Sequence, residues 1–250
     1  MPKPSFQLPQ SPDFVDIYRT DKKFDVIYAD PPWMRRKDTA DNPREWSNKY
    51  DLQTTKYIAN MPVKDIAADD SILFMWSTYT HLIDMLVVME GWGFEYLTNG
   101  FVWVKLNKSS STPFMGMGHY TRSNSEPLWM GIKGKPHKLV KDKTISQIIK
   151  ATDNSETGVF ESPNQVHESQ IEKHSKKPII LRDRIKHLLH QEIDGRPVEY
   201  LEMFAREHAK GWSAFGNELQ GYTLPPEDYD HEKPINVDKL TKHILKMAGN

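Results

Sequence analysis

Two periods alternate along the chain. Phe24-Asp25-Val26-Ile27-Tyr28-Ala29 is a short apolar, β-branched and aromatic run that predicts a buried strand. Ser71-Ile72-Leu73-Phe74-Met75-Trp76 is a second continuous apolar run, preceded by Asp69-Asp70, and predicts a central parallel strand. From Thr80 to Glu90, apolar side chains recur at Leu82, Ile83, Leu86, Val87 and Met89, the spacing of an amphipathic helix that Gly91 ends. Phe94 to Lys105 predicts another strand, which makes a βαβ unit with the two elements before it. The same reasoning predicts helices over 54–60, near 145–150, over 179–190 and over 237–247, and strands over 127–132, 197–204 and 211–216. Polar stretches without period separate them, and no internal repeat is present. The expected organisation is an α/β protein with a single domain over 1–220 and a C-terminal tail over 221–250 carrying a short helix. Loops over 105–125 and 134–175 are expected to face a substrate, since long loops in a compact domain usually carry function.

Composition narrows the class. At 250 residues, with 38% hydrophobic and 27% charged positions, the chain can bury one sizeable core. The absence of cysteine excludes a disulfide framework, a thiolate zinc site and a cysteine nucleophile. The net charge of -1 argues neither for nor against nucleic acid, because a neutral total can hide a basic face. No apolar run approaches the length of a membrane span, and Met1-Pro2-Lys3-Pro4 lacks the apolar core of a signal peptide. No membrane partner is expected, and the expected compartment is the cytoplasm, or a nucleus if the source is eukaryotic.

Candidate chemistry begins where the first strand stops. In Asp30-Pro31-Pro32-Trp33 neither proline can donate a ladder hydrogen bond, so the strand ends in a rigid corner carrying one carboxylate and one indole. An Asp oxygen and a neighbouring carbonyl can hold the two hydrogens of an exocyclic amine, and the Trp can stack on the ring that bears it. Arg35, Arg36 and Lys37 follow at once, and Lys133, Lys135, Lys138, Lys141 and Lys143 cluster later. Each cation run reads either as solvated surface or as phosphate contacts. His174-Ser175-Lys176-Lys177-Pro178 is a basic turn before a helix. Met203-Phe204-Ala205-Arg206, then Trp212, then Gly216-Asn217-Glu218 reads as two strands ending in groups suited to sugar hydroxyls.

In this order, Asp30-Pro31-Pro32-Trp33, Gly118-His119-Tyr120 with Arg122 and Glu126, His174 to Pro178, and Phe204-Ala205-Arg206 with Gly216-Asn217-Glu218 resemble the DPPW adenine methyltransferases. That family includes the eukaryotic mRNA adenosine methyltransferases and many bacterial and phage DNA enzymes, and the resemblance spans about residues 24 to 219. It implies a Rossmann-like fold with a mostly parallel sheet, helices on both faces and a permuted motif order. It implies S-adenosylmethionine as cofactor, no metal, and methylation of an adenine amine in nucleic acid. Asp30 and the Pro31 carbonyl would accept from that amine, with Pro32 holding the corner and Trp33 walling the base. Lys177, His174, Ser175, Phe204, Arg206, Asn217, Glu218 and Asp30 would surround the cofactor. Arg122 and Glu126 would lie near the target base or the cofactor. Together with His119 and the cations Arg35, Arg36, Lys37, Lys133 and Lys135, read above as surface or phosphate contacts, they make up the expected substrate-facing set.

DNA is the first expectation, because the chain is short and carries no large extra domain. RNA methylation by the same site is the second, and a non-catalytic nucleic-acid-binding subunit is the alternative from another class. A homodimer or heterodimer fits either. Two departures stand out: Ile179-Ile180-Leu181 replaces the acidic pair that often follows the Lys-Pro of the family, and the stretch over 145–170 is longer than usual.

Overall fold

The computed structural model describes residues 13–34, 52–107, 112–116, 118, 120–151, 177–219 and 236–248. Its core is a seven-stranded sheet built from β1 (Phe24–Ala29), β2 (Ala67–Trp76), β3 (Glu95–Lys105), β4 (Ser125–Lys133), β5 (Ile148–Ala151), β8 (Tyr200–Met203) and β9 (Ser213–Phe215). A two-stranded hairpin of β6 (Glu192–Ile193) and β7 (Arg196–Pro197) stands apart. The strand order is β5-β3-β4-β2-β1-β8-β9. Four of the neighbouring pairs are parallel, and β4 runs antiparallel to both β2 and β3. The fold is thus mixed α/β with a mostly parallel sheet.

Both faces are covered, which is why β1 is buried at all six positions. One face, from Ile27, Ala29, Leu73, Met75, Leu201 and Met203, packs on α1 (Thr55–Ala59), α2 (Val63–Ile66) and α3 (Leu82–Gly91). The other, from Val26, Tyr28, Ile72, Phe74, Trp76 and Tyr200, packs on α4 (Ile180–Leu188). A terminal helix, α5 (Val237–Ala248), reaches the first cluster through Val237.

Several expectations change. Residues 145–150 do not form a helix: Ile148–Ala151 pair with β3, and a short apolar run carries no length signal to separate the two outcomes. The βαβ unit is opened by β4, which inserts between β2 and β3, so β2 is parallel on one side only. Gly91 is the last residue of α3, and the left-handed turn that follows uses Gly93 at φ 79°. The strand expected over 197–204 is a hairpin arm followed by a four-residue strand.

β1, β2, β8 and β9 all point the same way, so their C-terminal ends form one edge of the sheet. That edge carries Asp30, Ser77, Phe204 and Gly216, and it is the edge at which ligands bind in open α/β sheets.

Candidate active site

The corner after β1 is fixed by backbone. Trp33 N donates to the Pro31 carbonyl at 2.9 Å, Gln53 N to the Pro32 carbonyl at 2.8 Å, and Met34 N to the Gln53 carbonyl at 3.1 Å. The Pro31 oxygen keeps a second lone pair for another donor. The Trp33 indole donates from Nε1 to the Trp76 carbonyl at the end of β2, 3.0 Å away.

Asp30 sits in an ion cluster. Lys177 Nζ lies 2.9 Å from Asp30 Oδ1 and 3.0 Å from Glu126 Oε1, and Lys105 Nζ lies 2.9 Å from Glu126 Oε2. Antiparallel pairing of β3 with β4 is what brings Lys105 beside Glu126, since Trp103 and Glu126 are register partners. Burial pushes the Asp30 carboxyl above the usual carboxylate range against the pull of Lys177, and the Glu126 charge adds to the push. Burial acts on Glu126 in the same sense, yet Lys177 and Lys105 together outweigh it and hold that carboxyl below its ordinary value. Lys177 would be lowered by burial, but two carboxylates keep it raised and charged. It also lies over the Trp76 ring, 5.5 Å from the centroid.

Below this cluster a cleft opens, lined by Tyr28, Asp30, Lys177, Pro178, Arg182, Glu202, Phe204, Arg206 and Glu207. Arg182 forks onto Glu202 at 2.7 and 2.8 Å and reaches Glu207 at 3.2 Å. Burial raises the Glu202 carboxyl and, with Glu202 beside it, lifts the Tyr28 phenol well above its normal range. Phe204 has φ 61°, a left-handed conformation costly for a bulky residue and found where a site demands it. Gly216 packs so closely on Ala205 that an added Cβ would fall 2.1 Å from its carbonyl oxygen, so the ends of β8 and β9 lie side by side. A cleft lined with ammonium, guanidinium, carboxylate and aromatic groups suits a ligand that carries both charges and a flat ring.

The family model for MT-A70 matches residues 24–218. The chain belongs to the MT-A70 family. It is 30% identical over 214 residues to the Type II methyltransferase M.MunI of Mycoplasma sp, covering 79% of this chain and 78% of that protein. It is 27% identical over 226 residues to the human N(6)-adenine-specific methyltransferase METTL4, with 87% of this chain and 42% of the relative covered. A third relative, the N6-adenosine-methyltransferase non-catalytic subunit MTB of Arabidopsis thaliana, is 31% identical over 148 residues, 56% of this chain and 18% of its own length. The chain thus spans most of the Mycoplasma protein and less than half of the other two.

Within this MT-A70 domain, the structure gathers Asp30, Lys177, Phe204 and Arg206 around one cleft; Glu126 joins them through Lys177, and Pro31, Pro32 and Trp33 follow Asp30 in the chain. Arg206 Nε lies 3.4 Å from Glu218 Oε1, which ties the two halves of the last motif together, and Asn217 is exposed beside it. Arg122 is exposed on the approach to β4. Arg35, Arg36, Lys37, His119, His174 and Ser175 lie outside the described residues. Lys133 and Lys135 are not brought to the cleft. They sit seven and nine residues beyond Glu126, at the other edge of the sheet, roughly 24 Å away for a strand of that length. There Lys133 Nζ donates to the carbonyls of Lys64 and Ala67, and Lys135 N donates to Asp70.

Four charged residues at the site are not singled out by the sequence reading: Lys105, Arg182, Glu202 and Glu207. Glu202 was detectable, because a carboxylate within Tyr200-Leu201-Glu202-Met203 must be buried and therefore paired. Among the described residues no cluster suited to a metal ion occurs, and no helix is long and apolar enough to cross a membrane.

Proposed function

We propose that this protein transfers a methyl group from S-adenosylmethionine to the exocyclic amine of adenine in DNA. The observation that carries the reading is that Asp30, with Pro31 next to it in the chain, lines a cleft whose walls also supply Lys177, Phe204 and Arg206. The donor, when bound, supplies an electrophilic methyl group. Everything else falls to the chain.

The adenine amine is a weak nucleophile because its lone pair is delocalised into the ring. Two acceptors on its hydrogens, Asp30 Oδ and Pro31 O, favour a pyramidal nitrogen and receive the positive charge that develops there. Asp30, whose proton affinity is raised by burial, can then take the released proton. Lys177 lies where it can exchange its contact with Asp30 for a ligand carboxylate while Glu126 keeps its charge matched. Trp33 walls the pocket for a base taken out of the stack, where stacking is worth roughly 1–3 kcal/mol. In-line placement by these groups accounts for most of the rate, on the order of 7–11 kcal/mol.

DNA is favoured over RNA because the likeness to a Type II methyltransferase, at 30% identity, extends over 79% of this chain and 78% of that protein. The likeness to a non-catalytic subunit covers 56% of the chain and is offset by the pairing of Asp30 with Lys177 at the cleft. Incubation with methyl-labelled S-adenosylmethionine and either plasmid DNA or transcribed RNA, followed by nucleoside mass spectrometry, tests the reading. N6-methyladenine in DNA is expected, label in RNA alone would move the substrate to RNA, and no label in either would refute the assignment.

A further inference from the structure

Trp33 is not held by its own loop alone. The turn after β2 (Tyr79–His81) lays the His81 imidazole on one face of the indole, with ring centroids 5.8 Å apart and planes 16° from parallel. His81 is buried, at 7% exposure, and its Nδ1 lies 3.1 Å from Asp84 Oδ2 in the first turn of α3. The other Asp84 oxygen accepts from Thr55 Oγ1 at 2.9 Å, at the start of α1. The chain of contacts runs Thr55–Asp84–His81–Trp33–Trp76 carbonyl and joins two helices to the end of a central strand. Nothing in the methyl-transfer chemistry uses His81 or Asp84.

We infer that His81 is a positioning residue that, braced by Asp84, locks Trp33 in one orientation and leaves the opposite indole face as the platform for the target base. The inference rests on the function proposed above for its substrate. Its physical basis is separate. A Trp following two prolines has a fixed backbone but free χ1 and χ2, and ordering those torsions costs conformational entropy at the moment of base capture. A stacked ring on one face and a hydrogen bond at the indole edge order them beforehand, which is preorganisation. Asp84 accepts the Nδ1 hydrogen, so it fixes the imidazole tautomer and its tilt. Because His81 takes part of one face in an offset stack, a base that stacks on Trp33 meets the other.

Two variants and two readouts test this. His81→Ala removes the stack, and His81→Phe keeps an aromatic ring without the link to Asp84. In His81→Ala, KM for plasmid DNA is expected to rise roughly 3- to 10-fold, the range of one aromatic pair. The affinity for S-adenosylmethionine by calorimetry should stay within about 2-fold, inside the context scatter of single contacts, and His81→Phe should recover most of the loss. In nitrogen-15 spectra the Trp33 indole cross-peak, assigned as the one lost in Trp33→Phe, should broaden in His81→Ala and sharpen again in His81→Phe. An unchanged Trp33 cross-peak would overturn the inference. So would a parallel loss of cofactor affinity, which marks a general structural role, or a failure of Phe to rescue KM. If the wild-type protein methylates neither DNA nor RNA, the function fails, and the spectra alone then decide whether His81 orders Trp33.

Discussion

Asp25 and Asp30 stand five residues apart at the two ends of β1, and both are carboxylates placed against the core. Asp25 is 2% exposed and fully committed: Arg196 meets its two oxygens at 2.7 Å each, and Glu199 N adds a third hydrogen bond at 2.9 Å. Asp30 is engaged at Oδ1 alone among the described residues, by a lysine it shares with Glu126. Its side chain keeps 23% of its surface open to the cleft. One carboxylate is saturated by its own chain and pins the start of the strand. The other is bound, among the described residues, at one oxygen only, and it lines the cleft. The lesson is that burial and charge alone do not mark a site, whereas incomplete pairing at the ligand-binding edge does.

Isosteric replacement at the two positions should separate them. Asp30→Asn should lower methyl transfer by at least about 1,000-fold, the scale of losing one preorganised electrostatic contact together with an acceptor for the proton. Because the folded protein raises the Asp30 carboxyl, its ionised form costs stability at neutral pH, and that cost eases as pH falls through the raised value. Asp30→Asn should therefore melt no lower than wild type by calorimetry. A marked drop in Tm would assign Asp30 to structure and dissolve the contrast.

Asp25→Asn should do the reverse. It leaves Arg196 without a full counterion and weakens three hydrogen bonds, about 2 kcal/mol in all, or a fall in Tm of roughly 4–8 °C for a chain of this size. The rate per folded molecule should be unchanged. A third substitution sharpens the view of Asp30 itself. Glu126→Gln removes one charge that pushes Asp30 upward and leaves Lys177 to Asp30, so the acid limb of the pH profile of kcat/KM should move to lower pH. A shift to higher pH would contradict the shared-lysine arrangement. The smallest effect belongs to Lys133→Ala at the far edge. It should loosen the end of α2 by about 1 kcal/mol, while KM for DNA stays within about 2-fold of wild type.

Much of the fold was legible because apolar runs mark buried strands whichever neighbours they find. The runs at 24–29, 71–76 and 94–105 became strands for that reason. Direction and neighbour were not legible: nothing in Pro127–Ile132 says that β4 runs against β2 and β3, and that reversal is what puts Lys105 beside Glu126. The cation runs carried the least information. Lys133 and Lys135 read either as solvated surface or as phosphate contacts, but a lysine can serve equally well by capping carbonyls, and its sequence neighbourhood does not distinguish these roles. The motif corner carried the most, because two prolines and an aspartate at the end of an apolar run leave few geometries open.

The order of motifs along the chain has a kinetic consequence. β1 pairs with β8, and Val26 and Tyr200 are partners across a span like the 174 residues between Asp25 and Glu199. Until the last quarter of the chain has been made, β1 has a bare edge on that side and the cleft lacks Phe204 and Arg206. Contacts of such sequence separation form late and slow the folding of the whole. Refolding followed by recovery of cofactor binding should therefore track the slowest phase seen by tryptophan fluorescence, with no earlier species able to bind the donor.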